Sequence, residues 1–147
     1  MGVLSWLIIL LCLAVAGFSA WKLWGYYRKY HDGEKEYEKL TDYVKEMPVE
    51  TQNQEDESKA DTCPITVDFE ALAKINSDIV GWVYIPDSEI NYPIVQNPDN
   101  EYYLHHTFEG TTNFTGAIFL DALCQPDFSS DNSIVYGHNL KTGAMFG

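Results

Sequence analysis

The sequence predicts a mainly β domain of short strands, a barrel or sandwich, behind an N-terminal membrane helix. Three observations carry this. No charged residue precedes Lys22. The whole net charge of −13 sits in residues 50–147, where sixteen acids face only Lys59, Lys74 and Lys141. Within that acidic part, short aromatic and β-branched runs are separated by Gly, Asn, Asp, Ser and Pro, the punctuation of strands and turns.

The length of 147 residues suits one small domain, and 46% hydrophobic residues are enough for a core. An acidic body of this kind excludes a phosphate-backbone binder, which needs clustered Lys and Arg, so that body is expected to favour cationic partners over nucleic acid or anionic lipid. The three cysteines, Cys12, Cys63 and Cys124, are too few and too unevenly spaced for a disulfide framework or a zinc site.

Val3 to Trp21 is a 19-residue run interrupted only by Ser5, Gly17 and Ser19. At about 1.5 Å per residue it extends about 28 Å, close to the hydrocarbon thickness of a bilayer. Trp6, Trp21, Trp24, Tyr26 and Tyr27 lie near its ends, where interfacial aromatics belong. Residues 1–24 therefore read as an uncleaved, single-pass anchor. A signal peptide is the alternative: Ala14-Val15-Ala16 offers a small-x-small cleavage site, but no Lys or Arg precedes the run. Lys22, Arg28 and Lys29 follow the run, so counting positive charges alone leaves the topology open.

From Tyr26 a helical period continues through Tyr30, Tyr37, Leu40, Val44 and Met47, with Lys35–Glu38, Glu36–Lys39 and Asp42–Lys45 as opposite charges three apart, until Pro48. Glu50 to Asp61 is almost wholly polar and reads as a flexible linker, which makes residues 25–64 a stalk and residues 65–147 the folded domain. Asp68 to Asn76 predicts a short helix with Phe69, Leu72 and Ile75 on one side. Gly81–Ile85 and Ile90–Gln96 predict a hairpin around the turn Pro86–Glu89. Glu101–His106, Ala117–Leu120 and Ser133–Tyr136 are further candidate strands.

Five ordered segments bear a family resemblance. Asp78-Ile-Val-Gly-Trp-Val-Tyr-Ile-Pro86, Ile90-Asn-Tyr-Pro-Ile-Val-Gln96, Asn100-Glu-Tyr-Tyr-Leu104, Gly116-Ala-Ile-Phe-Leu-Asp121 and Asn132-Ser-Ile-Val-Tyr-Gly-His-Asn139, followed by Met145-Phe146, resemble the N-terminal half of a class B sortase over roughly residues 67–147. The resemblance implies a sortase-type β-barrel, eight-stranded when complete, of which about the first half is present. It implies a membrane-held, extracytoplasmic cysteine transpeptidase of Gram-positive-type bacteria, which needs no cofactor. Its partners would be surface proteins bearing a C-terminal sorting signal and a peptidoglycan-precursor or pilin amine.

In that chemistry a thiolate attacks the sorting signal, an amine resolves the thioester, a His is the general acid/base and an Arg stabilises the oxyanion. His138 matches the family histidine. The family's Cys and Arg follow the histidine at a distance greater than the nine residues that follow His138 here. The expectation is therefore a truncated catalytic domain that is inactive alone. A non-catalytic, membrane-tethered binding domain or a pseudogene product is the alternative. Asn91 and Val95 match second-strand positions that line the sorting-signal groove in relatives; a plain hairpin surface is the competing reading.

Cys124 precedes His138, in a loop-like segment, and reads as a free thiol rather than the nucleophile. His105 and His106, adjacent on a predicted strand, would point to opposite faces and could not share a metal ion. Asn113-Phe114-Thr115 fits a glycosylation sequon but reads as a loop.

Overall fold

The computed structural model describes residues 2–46 and 64–147. The polar linker, Met47, Pro48 and Cys63 lie outside the described residues.

Apolar anchor and charged stalk form a single helix, α1, Val3–Leu40, of 38 residues, about 57 Å long at the usual rise. It is long and apolar enough to cross a membrane, with a mean hydropathy of 2.5 over its most apolar window. The side chains of its membrane-length first part are exposed among the described residues: Val3 is 79% exposed and Trp21 67%.

The expected stalk is overturned at the far end of α1. Gly33, Glu36, Tyr37 and Leu40 are buried in the body, and Tyr37 and Leu40 belong to its core. The packed unit thus starts well before Ile65. Asn113 Nδ2 donates to Lys29 O (2.8 Å), the Glu109 N–H donates to Glu36 Oε1 (2.7 Å), and Tyr37 OH donates to Gly116 O (3.2 Å). Gly33 permits this approach, since a Cβ there would lie 2.9 Å from Thr115 Oγ1. Glu36 therefore spends its carboxylate on the body rather than on Lys39. Its pKa is raised, because burial outweighs the Glu109 hydrogen bond.

The helix also ends earlier than its periodicity predicts. After a 3₁₀ turn at Thr41–Tyr43, Val44 is extended, in β1 (Val44–Glu46). β1 pairs antiparallel with β2 (Ile65–Val67), Val44 opposite Val67. Val44 fits a 3.6-residue period by position, but β-branching suits it to the ladder, whose partner is far away in sequence.

Helix α2, Phe69–Ile75, is capped by Asp68, whose Oδ1 accepts from the Ala71 N–H (2.9 Å). Leu72 is fully buried beneath it, while Phe69 and Ile75 stay partly exposed. Strands β3 (Ile79–Tyr84), β4 (Asn91–Val95), β5 (Phe119–Leu120) and β6 (Val135–Tyr136) form one sheet in that order. β3 and β4 make the expected antiparallel hairpin, Tyr84 opposite Asn91, with an irregularity between Ile79 and Gly81. Gly81 carries the ring of Phe128 where a Cβ would lie, 2.9 Å from Cε2. β4 and β5 run parallel, with Val95 opposite Phe119, and β5 and β6 run antiparallel.

The predicted strand at Glu101–His106 is instead a 3₁₀ turn, Tyr102–Leu104. It lies in the β4–β5 crossover, where Asp99 Oδ1 accepts the Glu101 and Tyr102 N–H groups and turns the chain. The core between sheet, α2 and the end of α1 holds Leu40, Leu72, Val95, Tyr103, Phe108, Ile118 and Leu120.

Candidate active site

His138 follows β6 by one residue. Gly137 supplies the room: a Cβ there would run into the Ile118 side chain and lie 2.8 Å from Phe146 Cδ2. The Phe146 N–H donates to His138 O (3.1 Å), and Asn139 bridges to Met145, so residues 138–146 form a closed loop at the sheet end. The half-buried imidazole lies against Gly116, whose φ of +62° is left-handed. A Cβ at Gly116 would stand 2.6 Å from Tyr103 O and 2.9 Å from His138 Cδ2. His138 Nε2 is 2.9 Å from Leu104 O. A carbonyl oxygen only accepts, so in this contact Nε2 is the donor.

Sequence reasoning singled out His138 but missed the two residues that seat it. Leu104 reaches it through the 3₁₀ turn, and Gly116 through a backbone angle that leaves no mark on the sequence except glycine itself.

Asn91 and Val95 are not brought together on a surface. Asn91 Oδ1 accepts from Trp82 Nε1 (2.7 Å), and its residue borders a cavity of about 330 Å³ between α1 and the loop at Thr142–Met145. Val95 is fully buried among core side chains, and its N–H donates to Ile118 O (3.1 Å). In place of the groove wall expected for it, Val95 has no surface to offer a peptide, because the parallel β5 strand and the core enclose it.

Cys124 and His138 belong to separate networks. Cys124 Sγ donates to Asn132 O (3.6 Å), while Gln96 Nε2 holds Cys124 O (2.9 Å). Beside it, Asp121 accepts from the Leu123 N–H (2.8 Å), Tyr136 OH (3.0 Å) and Asn100 Nδ2 (2.9 Å). These hydrogen bonds, that of Leu123 foremost, lower its pKa. His106 stacks on Tyr102 with centroids 4.0 Å apart, and its Nδ1 is 2.8 Å from Tyr102 O. His105 follows the 3₁₀ turn and is exposed. Among the described residues no three His, Cys, Asp or Glu side chains are grouped to hold a metal. Asn113, of the sequon, is 5% exposed, and both ends of its amide are engaged, with Lys29 O and the Thr115 N–H.

No protein-family model matches the chain. It is 49% identical over 75 residues to sortase B of Listeria monocytogenes, covering 51% of this chain and 30% of that protein. It is 40% identical over 78 residues to sortase B of Staphylococcus aureus, covering 53% and 32%. The crystal structure of Bacillus anthracis sortase B in complex with AAEK1 superposes with a TM-score of 0.64 at 31% identity, over 82% of this chain and 53% of that one. The chain thus spans about a third of the curated relatives it matches, and about half of that solved structure. The chain is therefore similar to class B sortases over about half of its own length, and its fold matches part of the sortase B fold.

Proposed function

We propose that these residues supply the acid/base half of a membrane-anchored cysteine transpeptidase, with His138 as the proton-transfer group. The observation that supports this most is the seating of His138 at the end of β6, with Nε2 committed to Leu104 O. One nitrogen is fixed and the other is left to exchange a proton. An imidazole suits this task because its unperturbed pKa of about 6.5 keeps both forms accessible near neutrality.

In the proposed reaction a thiolate attacks the carbonyl carbon of a C-terminal sorting signal, and His138 hands a proton to the departing amine. His138 then takes a proton from the incoming cell-wall or pilin amine as it resolves the thioester. The thiolate and the oxyanion-binding arginine come from family sequence not represented in these 147 residues, since Cys124 is bound into another network. Residues 1–24 hold the protein in the membrane, and residues 25–147 lie outside the cell. Of the two groove positions, Asn91 is retained as a wall residue of the 330 Å³ cavity.

The test is turnover of a panel of sorting-signal peptides with an amine acceptor. The 147 residues alone are expected to cleave none. The same residues joined to the cysteine- and arginine-bearing part of a class B sortase are expected to transpeptidate. Turnover by the 147 residues alone that is lost on Cys124→Ala would overturn the reading.

A further inference from the structure

We propose that the folded body rests directly on the lipid headgroups, with the Phe114 loop at the headgroup boundary and Lys22, Arg28 and Lys29 holding anionic lipid phosphates. This rests on the reading of α1 as the membrane anchor.

The helix leaves no slack between membrane and body, being unbroken from Val3 to Leu40. Its exposed aromatic belt, Trp21, Trp24, Tyr26 and Tyr27, is 67%, 62%, 59% and 62% exposed, and marks the interface. The body joins that belt. The Phe114 ring packs edge-on against Tyr30, with centroids 4.6 Å apart, and lies 6.4 Å from Tyr26. Asn113 Nδ2 locks the same loop to Lys29 O (2.8 Å). At about 1.5 Å per residue, Tyr26 and Tyr30 stand about 8 and 14 Å beyond Trp21. A headgroup layer is about 5–8 Å deep on each side, and a modest helix tilt lowers the body further. Phe114 therefore comes to the outer edge of that layer.

Charge complementarity names the lipid class. Residues 50–147 hold sixteen acids and three lysines, and an anionic surface repels them. Lys22, Arg28 and Lys29, together with Asp32, border one hollow on the exposed helix, three cations to one acid. At a Debye length of about 8 Å the cations nearest the phosphates dominate the local field.

The test uses the full chain in vesicles, in two single-cysteine forms carrying a fluorophore. One keeps Cys12, with Cys63→Ser and Cys124→Ser. The other carries Thr112→Cys with all three native cysteines changed to Ser, which leaves Phe114 in place. The label at position 12 should be quenched by acyl-chain nitroxides. The label at position 112 should be quenched by headgroup nitroxides, more strongly on phosphatidylglycerol than on phosphatidylcholine. Lys22→Gln, Arg28→Gln and Lys29→Gln together should abolish that preference. No quenching at position 12 would sink the anchor reading. Quenching at position 12 with none at position 112 would overturn the seating alone. Equal quenching by the two lipids in the unsubstituted collar would overturn the anionic-lipid contact.

Discussion

His138 turns Nε2 toward the main-chain oxygen of Leu104, 2.9 Å away and 34 residues earlier in the chain. The ring is thereby oriented by backbone, with no carboxylate needed to hold its tautomer. The orienting group is a neutral main-chain carbonyl.

Gly116 makes that contact possible and should be intolerant of a side chain. Its φ of +62° alone costs an L-residue about 1 kcal/mol. A Cβ would also meet Tyr103 O at 2.6 Å and the His138 ring at 2.9 Å. Gly143 serves as the control, with φ +85° and nothing within 4 Å of its Cβ position. Urea titration should find Gly116→Ala destabilised by about 2–4 kcal/mol and Gly143→Ala by about 1 kcal/mol. Equal losses would mean that Gly116 is chosen for its dihedral angle and not for the space it leaves to His138.

Glu36 sets a pH dependence of opposite sign to that of a surface carboxylate. Burial raises its folded pKa above the ordinary 4.5. Between the unfolded and folded values the folded state holds the proton that the unfolded state has lost. Stability from this group therefore falls as pH rises through that window and stays low above it. Glu36→Gln keeps an oxygen to accept the Glu109 N–H and removes the charge. Measured by chemical denaturation from pH 4 to pH 7, its stability relative to the native chain should rise with pH. A difference that is constant with pH, or that falls, would contradict the account.

What was legible in the sequence was local. The β3–β4 hairpin follows from two apolar runs around Pro86–Glu89, and α2 from Asp68 placed before Leu72. Both need only neighbours in the chain. The end of α1 was not legible, because Val44 fits a helical period and leaves it only to pair with Val67. The 3₁₀ turn at Tyr102–Leu104 was hidden in the same way, its direction set by Asp99 rather than by its own aromatics. Val95 is a groove position only through the family resemblance, and no local pattern shows that the parallel β5 strand will cover it. His138 was legible only through the surrounding Tyr-Gly-His-Asn motif. Leu104 and Gly116 were not, since a main-chain oxygen and a dihedral angle leave no side-chain signal.

The proton-transfer role of His138 is tested most directly by transpeptidation kinetics in a chain that joins these residues to the cysteine- and arginine-bearing part of the fold. His138→Ala should lower kcat/KM by about 10² to 10⁴, the usual contribution of a general acid/base. His105→Ala, at an exposed position, and His106→Ala, whose ring stacks on Tyr102, should cost less than about tenfold in folded protein. Near-full activity in His138→Ala, with activity lost in a folded His105→Ala or His106→Ala variant, would contradict the assignment.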